Sequence, residues 1–101
     1  MPNRYTRQER DVTATVGEEF AIALEANPTT GYRWEPEYDT SLVRLVEREF
    51  SSTGTGIGSA GSECFHWLAL AKGITPIRFI YKRTWETVAA DEVIFPVCID
   101  G

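Results

Sequence analysis

Cys64 and His66 stand two residues apart in a segment where apolar and polar residues alternate, which puts a thiol and an imidazole on one face of a strand. Nucleophilic catalysis needs those groups in hydrogen-bond contact and a third group to orient the base. At this spacing the Cα atoms lie about 6.6 Å apart, and no residue is marked out to hold the imidazole. A zinc site is equally short of ligands: the single histidine and the two distant cysteines supply three at most. No catalytic residue, metal or other cofactor is expected. What remains is recognition, and the residues best suited to it are Asn27-Pro28-Thr29-Thr30-Gly31-Tyr32. Pro28 fixes its own φ and drives Asn27 extended, while Gly31 permits a positive φ at the far end. Thr29 and Thr30 are left as stiff, uncharged, β-branched prongs, a small polar tip that fits something narrow.

That tip needs a framework, and the rest of the chain supplies strands. Asp11–Val16 reads as one, followed by Phe20, Ile22 and Leu24 alternating with Ala21, Ala23 and Glu25. Tyr32 and Trp34 share a face behind the threonines. Leu42–Phe50 is a fourth strand of ambiguous facing, with Val43, Leu45 and Glu47 set against Leu42, Arg44 and Val46. Phe65, Trp67 and Ala69 follow a long small-residue loop over 51–62. Ile77, Phe79 and Tyr81 make a further inward row, and Phe95, Val97 and Ile99 another, in which Pro96 implies an edge or a bulge. No segment has helical length and period. About seven to eight short strands separated by turn signals predict an all-β sandwich of immunoglobulin-like architecture, with Trp34 in the core. In that topology Cys64 and Cys98 fall in opposite sheets, Cys64 facing outward, so both are expected as free thiols.

The chain of 101 residues predicts a single domain, with residues 1–9 a flexible segment ahead of it. A net charge of −5, with basic residues scattered, argues against a nucleic-acid partner. No apolar run approaches the roughly 18 residues of a membrane helix. Met1–Arg7 has no hydrophobic stretch behind it and is not a signal peptide as written. The expected setting is intracellular, or extracytoplasmic if a leader was removed, and the expected state is a monomer.

Three connections of such a sandwich, conventionally lettered B–C, D–E and F–G, emerge at one end. Here they carry Asn27–Tyr32, the glycine-rich Gly54–Ser62, and Arg83-Thr84-Trp85. A tryptophan beside a guanidinium at a loop tip is a typical binding hot spot, and a glycine run lets backbone approach a partner closely. The combination resembles the chagasin-type inhibitors of papain-like cysteine proteases, which carry an Asn-Pro-Thr-Thr-Gly-aromatic loop, a Gly-x-Gly-Gly loop and an Arg-Pro-Trp loop. Asn27, Pro28, Thr29, Thr30, Gly31 and Tyr32 match the first in full. Gly58, Ser59, Ala60 and Gly61 match the second with alanine at its third position, and Arg83, Thr84 and Trp85 match the third with threonine for proline.

The resemblance implies a reversible inhibitor, not an enzyme, whose three loops enter a protease's active-site cleft and block it uncut. It places Thr30 deepest, beside the catalytic cysteine–histidine pair, the glycine-rich loop along the cleft, and Trp85 on a cleft wall with Arg83 nearby. Ala60 adds a methyl where the family has none, and Thr84 leaves its loop less rigid than proline would. The competing reading is an immunoglobulin-like adhesion or ligand-binding module for another protein or a glycan. A glycan binder is expected to expose several aromatics in a flat row.

Overall fold

Alternation in the sequence becomes alternation of buried and exposed side chains most clearly over Gly73–Arg83 and Asp91–Asp100, whereas the middle strand Glu19–Ala26 is buried on both faces from Phe20 to Leu24. The computed structural model describes residues 3–26, 31–52 and 61–101. They form eight strands and no helix among the described residues: β1 (Asn3–Tyr5), β2 (Val12–Thr15), β3 (Glu19–Ala26), β4 (Tyr32–Glu37), β5 (Val43–Ser52), β6 (Gly61–Ala69), β7 (Gly73–Arg83) and β8 (Asp91–Asp100). One sheet has the order β1-β3-β6-β5 and the other β2-β8-β7-β4. Two four-stranded sheets face to face are the immunoglobulin-like sandwich that the turn spacing predicts.

The core lies between them and is aromatic. Phe20, Ile22 and Leu24 of β3 and Phe65 and Trp67 of β6 meet Ile77 and Phe79 of β7 and Val93, Phe95, Val97 and Ile99 of β8. Phe79 is its hub, with ring centroids 4.9 Å from Phe65, 6.2 Å from Trp67 and 5.5 Å from Phe95. Edge-on and tilted pairs at such separations add to the burial of apolar area. Trp34 is 2% exposed, as its strand position predicts. It packs on Tyr81 at 4.5 Å.

Three features depart from the sequence reading. First, Asn3–Tyr5 lies within the segment expected to be flexible, yet it pairs in parallel with Phe20–Ile22. Tyr5 packs edge-on against Phe20 at 6.5 Å, and its hydroxyl donates to the Thr13 carbonyl at 3.1 Å. Arg7 then makes a two-pronged ion pair with Asp91, at 2.7 and 3.0 Å.

Second, the pairing of β5 with β6 slips between Leu45 and Glu47. A bulge at Val46 reverses the facing of everything after it. The sequence leaves the facing open; Val43 and Leu45 point inward, but Glu47 turns out opposite His66, and Arg48 takes the inward place opposite Phe65.

Third, Pro96 is not on an edge strand, since β8 pairs with both β2 and β7. Its missing N–H does no harm there. Pro96 lies opposite Pro76, and pairing with β2 begins only at Val97. Two residues without N–H can oppose each other only where the ladder makes no bond.

Cys64 on β6 and Cys98 on β8 are free and lie in opposite sheets, as expected. Cys64 faces outward by its place in the alternation, although it is only 9% exposed.

Candidate functional site

Strand registers fix which connections share an end. The last residue of β3, Ala26, is opposite Gly61 at the start of β6, and Gly61 is opposite Ser52 at the end of β5. In the other sheet, Tyr32 at the start of β4 is opposite Arg83 at the end of β7. The β3–β4, β5–β6 and β7–β8 connections therefore leave the sandwich at the same pole. Of the residues the sequence singles out, Gly31, Tyr32, Gly61, Arg83, Thr84 and Trp85 are placed there. Asn27, Pro28, Thr29, Thr30, Gly58, Ser59 and Ala60 lie outside the described residues.

Gly31 has φ +81°, the positive value expected of a glycine closing this turn. A side chain at Gly31 would begin 3.4 Å from Cη2 of Trp85 and 4.0 Å from Cγ of Arg83. The bases of the first and third loops are thus close neighbours. Tyr32 stacks on Tyr81 at 5.1 Å, and the Arg83 guanidinium lies over the Tyr32 ring at 4.5 Å. The same cation sits 5.8 Å from the Trp85 ring, a geometry in which ring and guanidinium attract.

The turn holding Trp85 is closed by the Glu86 N–H donating to the Arg83 carbonyl at 3.1 Å. Below it, the Ala90 N–H donates to the Tyr81 carbonyl at 2.8 Å. These bonds hold the turn without the proline that Thr84 replaces. Trp85 remains 72% exposed, and no core contact accounts for a tryptophan in that position. Large exposed aromatics supported from below are the usual anchors of protein interfaces.

A second anchoring device was not legible beforehand. Arg48, turned inward by the bulge, donates from Nη2 to the Trp34 carbonyl at 3.0 Å and to Glu63 at 2.9 Å, and lies 4.9 Å over the Phe65 ring. Trp34 in turn donates its indole N–H to the Glu25 carbonyl at 2.9 Å. Together these bonds tie the two sheets just below the loops. Beside them is an open hollow of about 200 Å³ lined by Ala26, Gly31, Tyr32, Arg33, Phe50 and Glu63.

The Cys64–His66 pair also differs from expectation in one respect. No partner for the imidazole was visible in the sequence, but Glu49 Oε1 lies 3.2 Å from His66 Nε2. This group is on the outer face of the β1-β3-β6-β5 sheet, away from the three loops. Burial pushes the Cys64 thiol above its usual pKa, the opposite of what an activated nucleophile requires.

A stiff β framework presenting several neighbouring loops at one end, with an exposed and well-supported tryptophan among them, defines a loop-based protein-binding module. Comparison with known proteins narrows this class. The profile of the Chagasin family peptidase inhibitor I42 matches residues 13–99. Chagasin of Trypanosoma cruzi is 30% identical over 105 aligned positions, covering 96% of both chains. Amoebiasin-1 of Entamoeba histolytica is 32% identical, covering 85% of this chain and 87% of its own. Among solved structures, the cysteine protease inhibitor EhICP2 from Entamoeba histolytica superposes with a TM-score of 0.83 at 25% identity, over 96% of this chain and 94% of its own. PbICP-C, solved in complex with falcipain-2, shares the fold at a TM-score of 0.61 and 21% identity, over 99% of this chain and 92% of its own. The chain belongs to the chagasin family of peptidase inhibitors.

Proposed function

We propose that this protein inhibits papain-like cysteine proteases reversibly, by seating the β3–β4, β5–β6 and β7–β8 connections together in the active-site cleft. The observation that carries this reading is the Arg83 guanidinium lying over Tyr32 and beside Trp85, which couples the base of the threonine loop to that of the tryptophan loop. Thr29 and Thr30, next to Gly31 in the chain, enter deepest. A threonine hydroxyl can hydrogen-bond within a polar slot while offering a thiolate no activated carbonyl. Gly58–Gly61 takes the adjoining stretch of the cleft, where its small residues let two main chains approach closely, and Trp85 covers a neighbouring wall of the cleft. The chain contributes surface and no chemistry of its own, so it leaves the protease unmodified and is itself not consumed.

Loops that are already ordered at their bases lose little freedom on binding, which lets an interface of roughly 1,600 Å² be tight. Residual activity of papain and of a cathepsin, titrated with the protein, should fall in proportion to inhibitor added until the enzyme is saturated. Thr30→Arg, which places a long charged chain at the tip, should reduce inhibition at least about a hundredfold, roughly 2.7 kcal/mol. Undiminished protease activity at saturating wild-type protein, across several such enzymes, would refute the reading.

A further inference from the structure

The outer face of the β5–β6 hairpin carries a cluster that protease inhibition does not use. Glu49 and Cys64 are directly opposite in the ladder, and His66 follows Cys64 on the same face. One donor atom from each lies within 4.8 Å of the others. We propose that Glu49, Cys64 and His66 form a binding site for a divalent transition-metal ion of the zinc type, with a fourth position open to water.

The donor set fits. Thiolate, imidazole and carboxylate are the three zinc ligands of proteins, and three of them with one open position is a common arrangement. The 3.2 Å between His66 Nε2 and Glu49 Oε1 is close to the edge of a tetrahedron built on Zn–N and Zn–O bonds of about 2.0–2.1 Å, which is about 3.3 Å. Bringing Sγ to about 2.3 Å from the same ion takes a side-chain adjustment of about 1 Å, within reach of a χ1 rotation or of the exposed Glu49 chain. The backbone beneath is antiparallel and in continuous register from Glu47–His66 to Ser52–Gly61, so the three ligands need little ordering on binding. Cys64 would bind as the thiolate, its proton passing to solvent.

The site has a structural consequence. Glu49 and Cys64 lie three residue pairs from the Ser52–Gly61 end of the ladder, about 10 Å along the strands. A metal there clips together the two strands that carry the glycine-rich connection. Counting only histidine and cysteine in the sequence misses the site, because its third ligand comes from the neighbouring strand.

Titration of the tag-free, reduced full-length chain with Co²⁺ tests the proposal. A thiolate-to-cobalt charge-transfer band saturating at one equivalent is expected. So is a Zn²⁺-dependent rise in melting temperature of about 5 °C or more at a tenfold excess over Kd. Cys98→Ser should retain both effects, while Cys64→Ser and the more exposed His66→Gln should lose them with metal-free stability preserved. No charge-transfer band in the wild type, or a band that persists in Cys64→Ser and vanishes in Cys98→Ser, overturns the assignment. No protease is involved, so either outcome leaves the inhibitor reading untouched.

Discussion

At the scale of the residue, Trp85 and Gly31 matter most. Trp85 is 72% exposed, so the fold gains little from its ring and a partner can gain much. Trp85→Ala should weaken protease inhibition by about 2 kcal/mol or more, the hot-spot scale, while the melting temperature stays within a degree or two of wild type. A large stability loss with unaltered inhibition would mean that the ring serves the fold. Gly31 supplies φ +81°, and a methyl there would meet Trp85 only at van der Waals distance. Gly31→Ala should cost about 1–2 kcal/mol of stability through the left-handed backbone. Because relief of that strain would reshape the turn that carries the threonines, inhibition should also fall about tenfold, measured as an inhibition constant under fully folded conditions. Equal inhibition by the two proteins would show that binding does not depend on the backbone of this turn. Both residues were legible in the sequence, since turn glycines and loop-tip tryptophans carry local signals. Arg48, Glu63 and the Glu49–His66 contact were not, because each depends on which residue of another strand lies opposite.

At the scale of the element, the bulge at Val46 decides what the upper half of β5 contributes. Before it, the strand buries Val43 and Leu45. After it, Arg48 points inward and joins the two sheets through Trp34 and Glu63. Period-2 alternation leaves the facing of this strand ambiguous, because a bulge is a property of the pair and not of one strand. Side-chain exposures of 31% for Arg48 and 16% for Glu63 make this a half-buried pair, whose partner is left poorly compensated when one member is removed. Glu63→Gln should lower unfolding free energy by about 1–3 kcal/mol in denaturant titration, and no change would mean that water replaces the carboxylate fully. β1 escaped notice for a similar reason. Three residues contain too little periodicity to read, and the strand exists because its neighbour β3 offers an open edge.

The Arg7–Asp91 pair just after β1 gives a pH test at this scale. Its hydrogen bonds from Arg7 hold the Asp91 carboxyl below its ordinary pKa. A folded pKa below the unfolded one stabilises the fold above about pH 4, the ordinary carboxylate range. That contribution is lost as pH falls through the depressed value. The pair is largely exposed, so Arg7→Ala should cost only about 0.2–1 kcal/mol near neutrality. The difference from wild type should vanish once acid protonates Asp91, and a difference that persists there would exclude the ion pair as its source.

At the scale of the whole molecule, the sandwich gathers residues that are remote in the chain. Ala26, Gly61 and Ser52 close one sheet at the pole where Tyr32 and Arg83 close the other, and the inward aromatic rows keep those strand ends fixed. The seven longer strands, the placement of the two cysteines in opposite sheets and a buried Trp34 could all be read from alternation and turn chemistry, because immunoglobulin-like order follows from short strands with regular breaks. The common direction of the three loops is a consequence of that topology, and it is what makes a cleft-blocking mode possible. The central claim is that this pole occupies the protease's active-site cleft. Calorimetric titration of the protein into papain, compared with papain whose cleft is filled by a covalently attached peptidyl ketone, tests it directly. Tight one-to-one binding to the open enzyme, weakened at least about a hundredfold by the filled cleft, is the expected result; equal affinity for both forms would contradict it.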